Sequence, residues 1–558
     1  MRLRTNIRHY TRNLMGGVCS MLAILILAMV FVGCVGTPPE PTTALRLALP
    51  TTAVDTAATA GFFKGVSGAH VARLGEYLIV AGGSNFPHQA AADGGPKVYY
   101  SDIYAAKLGG DSLEWHLIGH LPKPLAYGMT AVYGDKLYIA GGRAMQVDTF
   151  GVGNNDAMES MPYTARSVQH SLSIVGNNVM NTTSKPWVDT TDFSKGWFDY
   201  REYATDAVLS LTYDGHSLAI DTSYMPLPAP RSGAAAVVAD NLWVLVGGIE
   251  EGSSTNSTIY LDFTKPHADW RYGSDYPGAP LLKVTATTQR TDDTTYLYMV
   301  GSFAGHDHPE NLATLSLSAF RYNVLTHTWS SFAAPVEAAA QGMTFGGGMA
   351  WPVGEDYVAF TGGVNHQIFL NAINRDKTFA KHRLTWENFE RYYATLSVPD
   401  RPEYPTAIID SLMQGITYPG DDATPEEMAR YQAAQAQADK LWKAYDAKYL
   451  QWRKQYGRAW DKEQDDNYNR FAQMQQAQED SMARVKYHYL RHKPEWYGFC
   501  DIIWLYNVRT AQWYPTAHNA DVARADAGVV LLPRNGVLLV GGETMPGVRT
   551  PQITQLTW

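Results

Sequence analysis

The chain has 558 residues and a net charge of −9, a balance that carries no basic footprint for nucleic acid. Twelve per cent aromatic residues, 48 glycines and 29 prolines fit many short strands joined by tight turns. Length alone would allow several domains, but internal repetition argues for one principal body.

Residues 1–34 read as a targeting segment. Arg2, Arg4, Arg8 and Arg12 precede an uninterrupted apolar run at 21–32, a signal-peptide length that is too short to span a bilayer comfortably. The run ends in Phe31-Val32-Gly33-Cys34, which resembles a bacterial lipobox. In that motif the cysteine is acylated and becomes the mature N-terminus, although Phe31 stands where leucine is usual. The competing reading is an ordinary secretory signal with an incidental cysteine. The lipobox reading predicts an exported lipoprotein of a Gram-negative bacterium, in the periplasm or at the outer membrane, bound to membrane only through lipid on Cys34. Residues 35–60 begin as a proline-rich tether and include a candidate closing strand at 45–49. With the signal, which carries Cys19, removed and Cys34 acylated, Cys500 is the remaining thiol, so no intrachain disulfide is expected.

From residue 61 onward an apolar strand ending in a small-residue doublet recurs. It reads YLIVAGG at 77–83, KLYIAGG at 136–142, LWVLVGG at 242–248, YLYMVGS at 296–302, YVAFTGG at 357–363 and VLLVGGE at 537–543. A short strand rich in Ala, Gly and Val precedes most copies, and an outer strand ending in tryptophan often follows, as at Trp115, Trp270, Trp329 and Trp513. The pattern is identified as the kelch repeat. The fold class it implies is all-β, a six-bladed kelch β-propeller over 61–558. Glycines would avoid collisions near the axis, and Tyr and Trp would pack between blades. The last unit has three strands of its own. A strand from the N-terminal side would complete it and remove the exposed edges.

Two units are interrupted. Residues 144–203 are polar, lack clear periodicity, and read as a long loop over one mouth of the propeller. Residues 372–495 read as an inserted α-helical hairpin. Thr424-Pro425-Glu426-Glu427 is a capping box with proline at the first helical position. Trp442, Tyr445, Tyr449, Trp452 and Tyr456 share a helix face, Gly457 is expected to break the run, and a second helix is expected over about 460–492. Helix packing is the structural reading of the aromatic stripe and a sugar-stacking platform the functional one. The hairpin surface is also a candidate site for a protein partner.

Three segments carry a narrower resemblance. They are Gly65-Val66-Ser67-Gly68-Ala69 leading to Ala81-Gly82-Gly83-Ser84-Asn85-Phe86-Pro87; Thr361-Gly362-Gly363-Val364-Asn365-His366-Gln367-Ile368-Phe369; and Gly542-Glu543-Thr544-Met545-Pro546-Gly547-Val548-Arg549-Thr550. They resemble the kelch family of sialic acid mutarotases, the N-acetylneuraminate epimerases, in a cyclically permuted form with an enlarged helical insertion. A closed ring tolerates such permutation. Arg143 departs from the small or acidic residue expected after the second doublet.

The resemblance implies an isomerase that interconverts the anomers of free N-acetylneuraminic acid or a related sialic acid, without metal or cofactor. It implies Glu543 as proton acceptor and Arg549 as partner of the substrate carboxylate. A guanidinium fork suits a carboxylate, and mutarotation needs one group to take the hydroxyl proton and another to protonate the ring oxygen. Residues after the doublets converge on the channel, which adds Asn85, Asn365, His366 and Arg143 as candidate substrate contacts. Asn85 and Asn365 fit turn positions equally well, His366 is either a ring-oxygen partner or an ordinary loop histidine, and the Glu543–Arg549 pair has a purely structural reading as an ion pair. The principal alternative is a non-catalytic kelch module that binds a glycan or protein at the cell envelope. A sialidase would show Ser-x-Asp-x-Gly-x-x-Trp boxes, which are absent from the sequence.

Overall fold

The computed structural model describes residues 38–51, 61–150, 183–188, 195–305, 311–418, 420 and 423–558. The targeting segment and Cys34 lie outside the described residues. The chain divides into a unit of Met1–Thr378 with Tyr487–Trp558, and a second unit of Phe379–Lys486.

The first unit is mostly β, built of small antiparallel sheets consistent with a propeller. Tyr77–Ala81 is central in its sheet, between His70–Leu74 and Asp102–Lys107, with Trp115–His120 outside. The same order recurs around Lys136–Ala140, Leu242–Val246, Thr294–Val300 and Tyr357–Thr361. Around Gly536–Val540 the outermost strand is Thr42–Ala48, antiparallel to Gln552–Thr557. This pairing lets the two ends of the chain cover each other's backbone edge. Innermost strands of successive sheets lie side by side, and that of the last, Gly528–Leu532, lies beside that of the first, His70–Leu74.

The doublets explain how adjacent sheets approach. Gly83 N–H donates to Leu125 O at 2.9 Å, Gly142 N–H to Arg231 O at 2.7 Å, Gly363 N–H to Arg524 O at 2.9 Å, and Gly542 N–H to Val66 O at 2.9 Å. The last of these links the final sheet back to the first. A Cβ on Gly82 would stand 2.3 Å from Leu125 O, and one on Gly541 would stand 2.6 Å from Val66 O. A side chain at either place would collide with the neighbouring backbone, so glycine is required by contact as well as by positive φ.

Apolar clusters fill the spaces between adjacent sheets, including the one between last and first, where Val71 and Leu78 meet Val530 and Leu538. Each outer-strand tryptophan reaches back to the preceding sheet. Trp115 Nε1 donates to Ala48 O at 2.9 Å, Trp329 Nε1 to Ser274 O at 2.8 Å, and Trp513 Nε1 to Ala333 O at 2.8 Å. The indole thus fills apolar space while its one donor is satisfied.

Two expectations about the interruptions need correction. Within 144–203 the described residues are strands rather than a loop. Arg143–Phe150 pairs with Trp197–Ala204, which pairs in turn with Thr183–Val188. Polar residues on both strands obscured the alternation; across them Arg143 pairs diagonally with Glu202 and Arg201 with Asp148, within the reach of long side chains on one sheet face. The remainder of that stretch lies outside the described residues.

In the second unit the expected helical hairpin is absent. Pro425–Tyr489 is a single helix that runs through Gly457. One glycine costs a helix only about 1 kcal/mol, and here the Arg453 side chain lies across it. Arg453 Nη1 donates to Gly457 O at 3.1 Å and to Asp461 Oδ1 at 2.7 Å, tying together the turns on either side. The capping box does form: Thr424 Oγ1 accepts from Glu427 N–H at 3.2 Å, while Glu427 Oε2 accepts from Thr424 N–H at 2.9 Å. The antiparallel partner of the long helix is the preceding segment, with short helices at Trp386–Tyr392 and Thr406–Met413. Trp386 meets Phe471 edge-on at 5.3 Å, Tyr404 lies 4.9 Å from Tyr445, and Trp452 Nε1 donates to Pro399 O at 3.0 Å. The aromatic stripe therefore packs within the unit. Among the described residues no helix is long and apolar enough to cross a membrane.

Candidate functional site

Beyond the final doublet the chain forms a small hairpin, Glu543–Met545 against Val548–Arg549, with Glu543 opposite Arg549 in the register. Gly547 at its turn has φ 83° and its N–H donates to Glu543 Oε1 at 2.6 Å. The backbone of Glu543 is bonded in both directions to Ala525. The carboxylate is therefore held at its Cα and at one oxygen before any ligand is considered.

Arg549 Nη1 lies 3.2 Å from Glu543 Oε1, and the two side chains are only 4% and 16% exposed. Arg549 Nε donates to Ser67 Oγ at 3.0 Å and Nη2 to the Tyr127 hydroxyl at 3.4 Å. Its guanidinium sits 5.0 Å from the Phe86 ring centre. A guanidinium has five N–H donors, so these partners leave donors to spare for an incoming anion. Burial works against the charge on Arg549, but the Glu543 carboxylate and Tyr127 outweigh it and raise the pKa.

Tyr127, Lys283 and Asp526 complete the surroundings. Lys283 Nζ pairs with Asp526 Oδ2 at 2.7 Å. Burial alone would lower the lysine pKa, yet Asp526 and Glu543 together raise it. Burial would likewise raise the Tyr127 pKa, but Lys97 and Arg549 prevail and the phenol is more acidic than an ordinary tyrosine. These three residues occupy one repeated position, each the left-handed residue just before an innermost strand, with φ of 57°, 50° and 51°. Glycines 68, 233 and 347 hold the equivalent places in the other sheets. Backbone bonds join them from sheet to sheet: Gly68 N–H to Asp526 O, Tyr127 N–H to Gly68 O, Gly233 N–H to Tyr127 O, Gly347 N–H to Lys283 O and Asp526 N–H to Gly347 O, all between 2.7 and 3.1 Å.

The other expected contacts are placed differently. Asn85 is buried, and its side chain serves the scaffold: Nδ2 donates to Gly61 O and Gly65 O, both at 2.8 Å, and Oδ1 accepts from Tyr100 at 2.6 Å. Asn365 Oδ1 accepts from Gln367 and Ile368 N–H at 3.1 and 3.2 Å, so it caps the helix His366–Lys381. His366 lies at the start of that helix with Nδ1 buried and unbonded, 3.8 Å from where a Cβ on Gly342 would be. Arg143 is paired with Glu202. Ser67, Tyr127, Lys283 and Asp526 were missed as site residues. For Tyr127, Lys283 and Asp526 the signal is visible once the six repeats are aligned: a longer side chain stands where other repeats carry glycine.

No family model matches the chain. Curated relatives named N-acetylneuraminate epimerase match short stretches of it. The protein from Vibrio vulnificus is 38% identical over 92 residues, that from Pasteurella multocida 28% over 127, and that from Brucella suis 36% over 88. These stretches make up 14%, 20% and 14% of this chain, and 23%, 32% and 22% of the relatives. A solved structure titled "Structure of YjhT" aligns with a TM-score of 0.37 at 17% identity, over 54% of this chain and 78% of that one. The chain is thus similar in part to N-acetylneuraminate epimerases, and the matches span a third or less of their length.

Proposed function

We propose that this protein is a six-bladed kelch β-propeller that interconverts the anomers of free N-acetylneuraminic acid or a related sialic acid. The observation that carries the reading is the nearly buried Glu543–Arg549 pair on the hairpin after the last doublet. The partial likeness to epimerases supports it. In this reading the substrate carboxylate docks on Arg549, and Glu543 takes the proton of the anomeric hydroxyl. The electrons left on that oxygen form the carbonyl as the ring C–O bond breaks, and the ring oxygen gains a proton. Rotation of the open keto acid and closure on the other carbonyl face give the second anomer. Every proton is returned, so neither redox partner nor metal enters the sequence of steps. The cyclic adjacency of innermost strands and the link from Gly542 to Val66 support a closed ring of six blades; the permuted order of those blades belongs to the same proposal. Export and anchoring through lipid on Cys34 belong to the same proposal.

The test is proton NMR of the anomer ratio after sialic acid is released as one anomer. The purified protein is expected to speed the approach to equilibrium, and Glu543→Gln to slow it by roughly a hundredfold or more while the fold is kept. Rates unchanged in Glu543→Gln would remove this carboxylate from the mechanism.

A further inference from the structure

We propose that Tyr127 is the second proton-transfer group of this site, serving the ring oxygen while Glu543 serves the anomeric hydroxyl; the assignment rests on the mutarotase reading above. Its first support is position. The Tyr127 hydroxyl and the Glu543 carboxylate accept from two nitrogens of one guanidinium, Nη2 and Nη1 of Arg549 respectively. A sugar acid whose carboxylate docks on Arg549 is therefore presented to both groups at once.

The second support is the conformation. Tyr127 holds φ at 57° where three of the other five sheets carry glycine. A Cβ on Gly68 would fall 2.5 Å from the Tyr127 ring, so the phenol occupies space that the neighbouring glycine leaves open. A bulky left-handed residue is strained by about 1 kcal/mol or more. Such strain persists where the surrounding structure holds it in place, and functional sites are where it clusters.

The third is the hydrogen-bond set. The hydroxyl lies 3.0 Å from Ser67 Oγ and 3.1 Å from Ser84 Oγ. Serine hydroxyls rotate to donate or accept, so the same two partners satisfy either a phenol or a phenolate. The charged and titratable groups around it are Lys97, 5.3 Å from the ring centre, Arg549, Asp526, Glu543 and Tyr99. The cations outweigh the acids, which favours reversible proton release. His366, the alternative acid, has its buried Nδ1 beside Gly342.

Proton balance closes within the pair. On opening, Glu543 gains the hydroxyl proton and Tyr127 gives its phenolic proton to the ring oxygen. On closing, the phenolate recovers that proton and Glu543 returns its own to the new hydroxyl.

The experiment uses the full-chain protein, free N-acetylneuraminic acid and anomer exchange by NMR across a range of pH, with Tyr127→Phe beside the wild type. Phenylalanine keeps the ring and the backbone conformation and removes only the hydroxyl. The expected result is a loss of roughly a hundredfold or more in rate, together with loss of the alkaline limb of the pH profile. In parallel, ultraviolet phenolate absorbance should show one tyrosine ionising below the ordinary range, and that step should be missing in Tyr127→Phe. A folded Tyr127→Phe protein that exchanges anomers at the wild-type rate overturns the assignment and leaves the mutarotase reading standing. A wild-type protein that fails to accelerate exchange of any sialic acid overturns that reading, and this assignment with it.

Discussion

His70 offers a direct measurement of how dry the space between the first two sheets is. It lies on an innermost strand with no exposed surface; Nδ1 meets Thr130 Oγ1 at 3.2 Å, and Nε2 is buried without a hydrogen-bond partner. Burial disfavours the imidazolium and pushes the pKa from 6.5 down to about 3. The sign follows from proton uptake. Above pH 6.5 neither state binds the proton, and stability is unaffected. Between 6.5 and about 3 the unfolded chain takes up a proton that the folded one refuses, so stability falls as pH falls, by about 1.4 kcal/mol per unit. Two units below the unfolded value this amounts to about 2.7 kcal/mol. His70→Gln removes the titration, while carboxylates elsewhere respond alike in both proteins. Urea unfolding of the two proteins at about pH 7.5 and about pH 4.5 isolates the term as the change in their stability difference, expected to move by about 2.7 kcal/mol in favour of the variant. A stability difference that stays constant between the two conditions refutes the reasoning, because it would mean that the folded protein accommodates the imidazolium.

Two further substitutions test the scaffold. Gly65 has φ 85°, and a Cβ there would stand 2.2 Å from the Thr550 carbonyl carbon and 2.4 Å from Pro551 N. Gly65→Ala is therefore expected to lower stability by roughly 2 kcal/mol or more in thermal unfolding, and to slow anomer exchange because Thr550 adjoins Arg549. Gly457→Ala tests the long helix. Its Cβ would meet the flexible Arg453 side chain at 2.8 Å, so a helix-propensity gain of about 1 kcal/mol is offset by displacement of Arg453. Circular dichroism should show unchanged helix content, with a stability change within about 1 kcal/mol; a large loss of helix would argue for a turn at this position.

The repeats were legible because their information is local. A strand, its hairpin partner and the doublet between sheets lie within a few dozen residues, and each doublet marks where one sheet's backbone reaches the next. Glu543 and Arg549 were legible as a pair for a similar reason: Pro546 and Gly547 turn the chain between them, bringing positions six apart into facing register. The polar strands at 143–150 and 197–204 were not legible, because their cross-strand ion pairs replace the apolar alternation that marks a strand. Asn85 and Asn365 showed the opposite ambiguity. Asparagine after a doublet serves substrate or scaffold equally well on paper, and only the bonds to Gly61, Gly65, Gln367 and Ile368 assign both side chains to the scaffold.

The sequence by itself determined the β character of the first unit, the order of its central strands and the turn that sets Glu543 opposite Arg549, since all three follow from short-range pattern and turn residues. Tertiary structure alone decided the rest. It brought Ser67, Tyr127, Lys283 and Asp526, from four different repeats, to one cluster, and set Trp386 and Tyr404 against the aromatic residues of the long helix. Those outcomes depend on which side chains cover a backbone group or face a buried charge. Such neighbours meet only when distant segments pack, so a pattern within one repeat does not pair them.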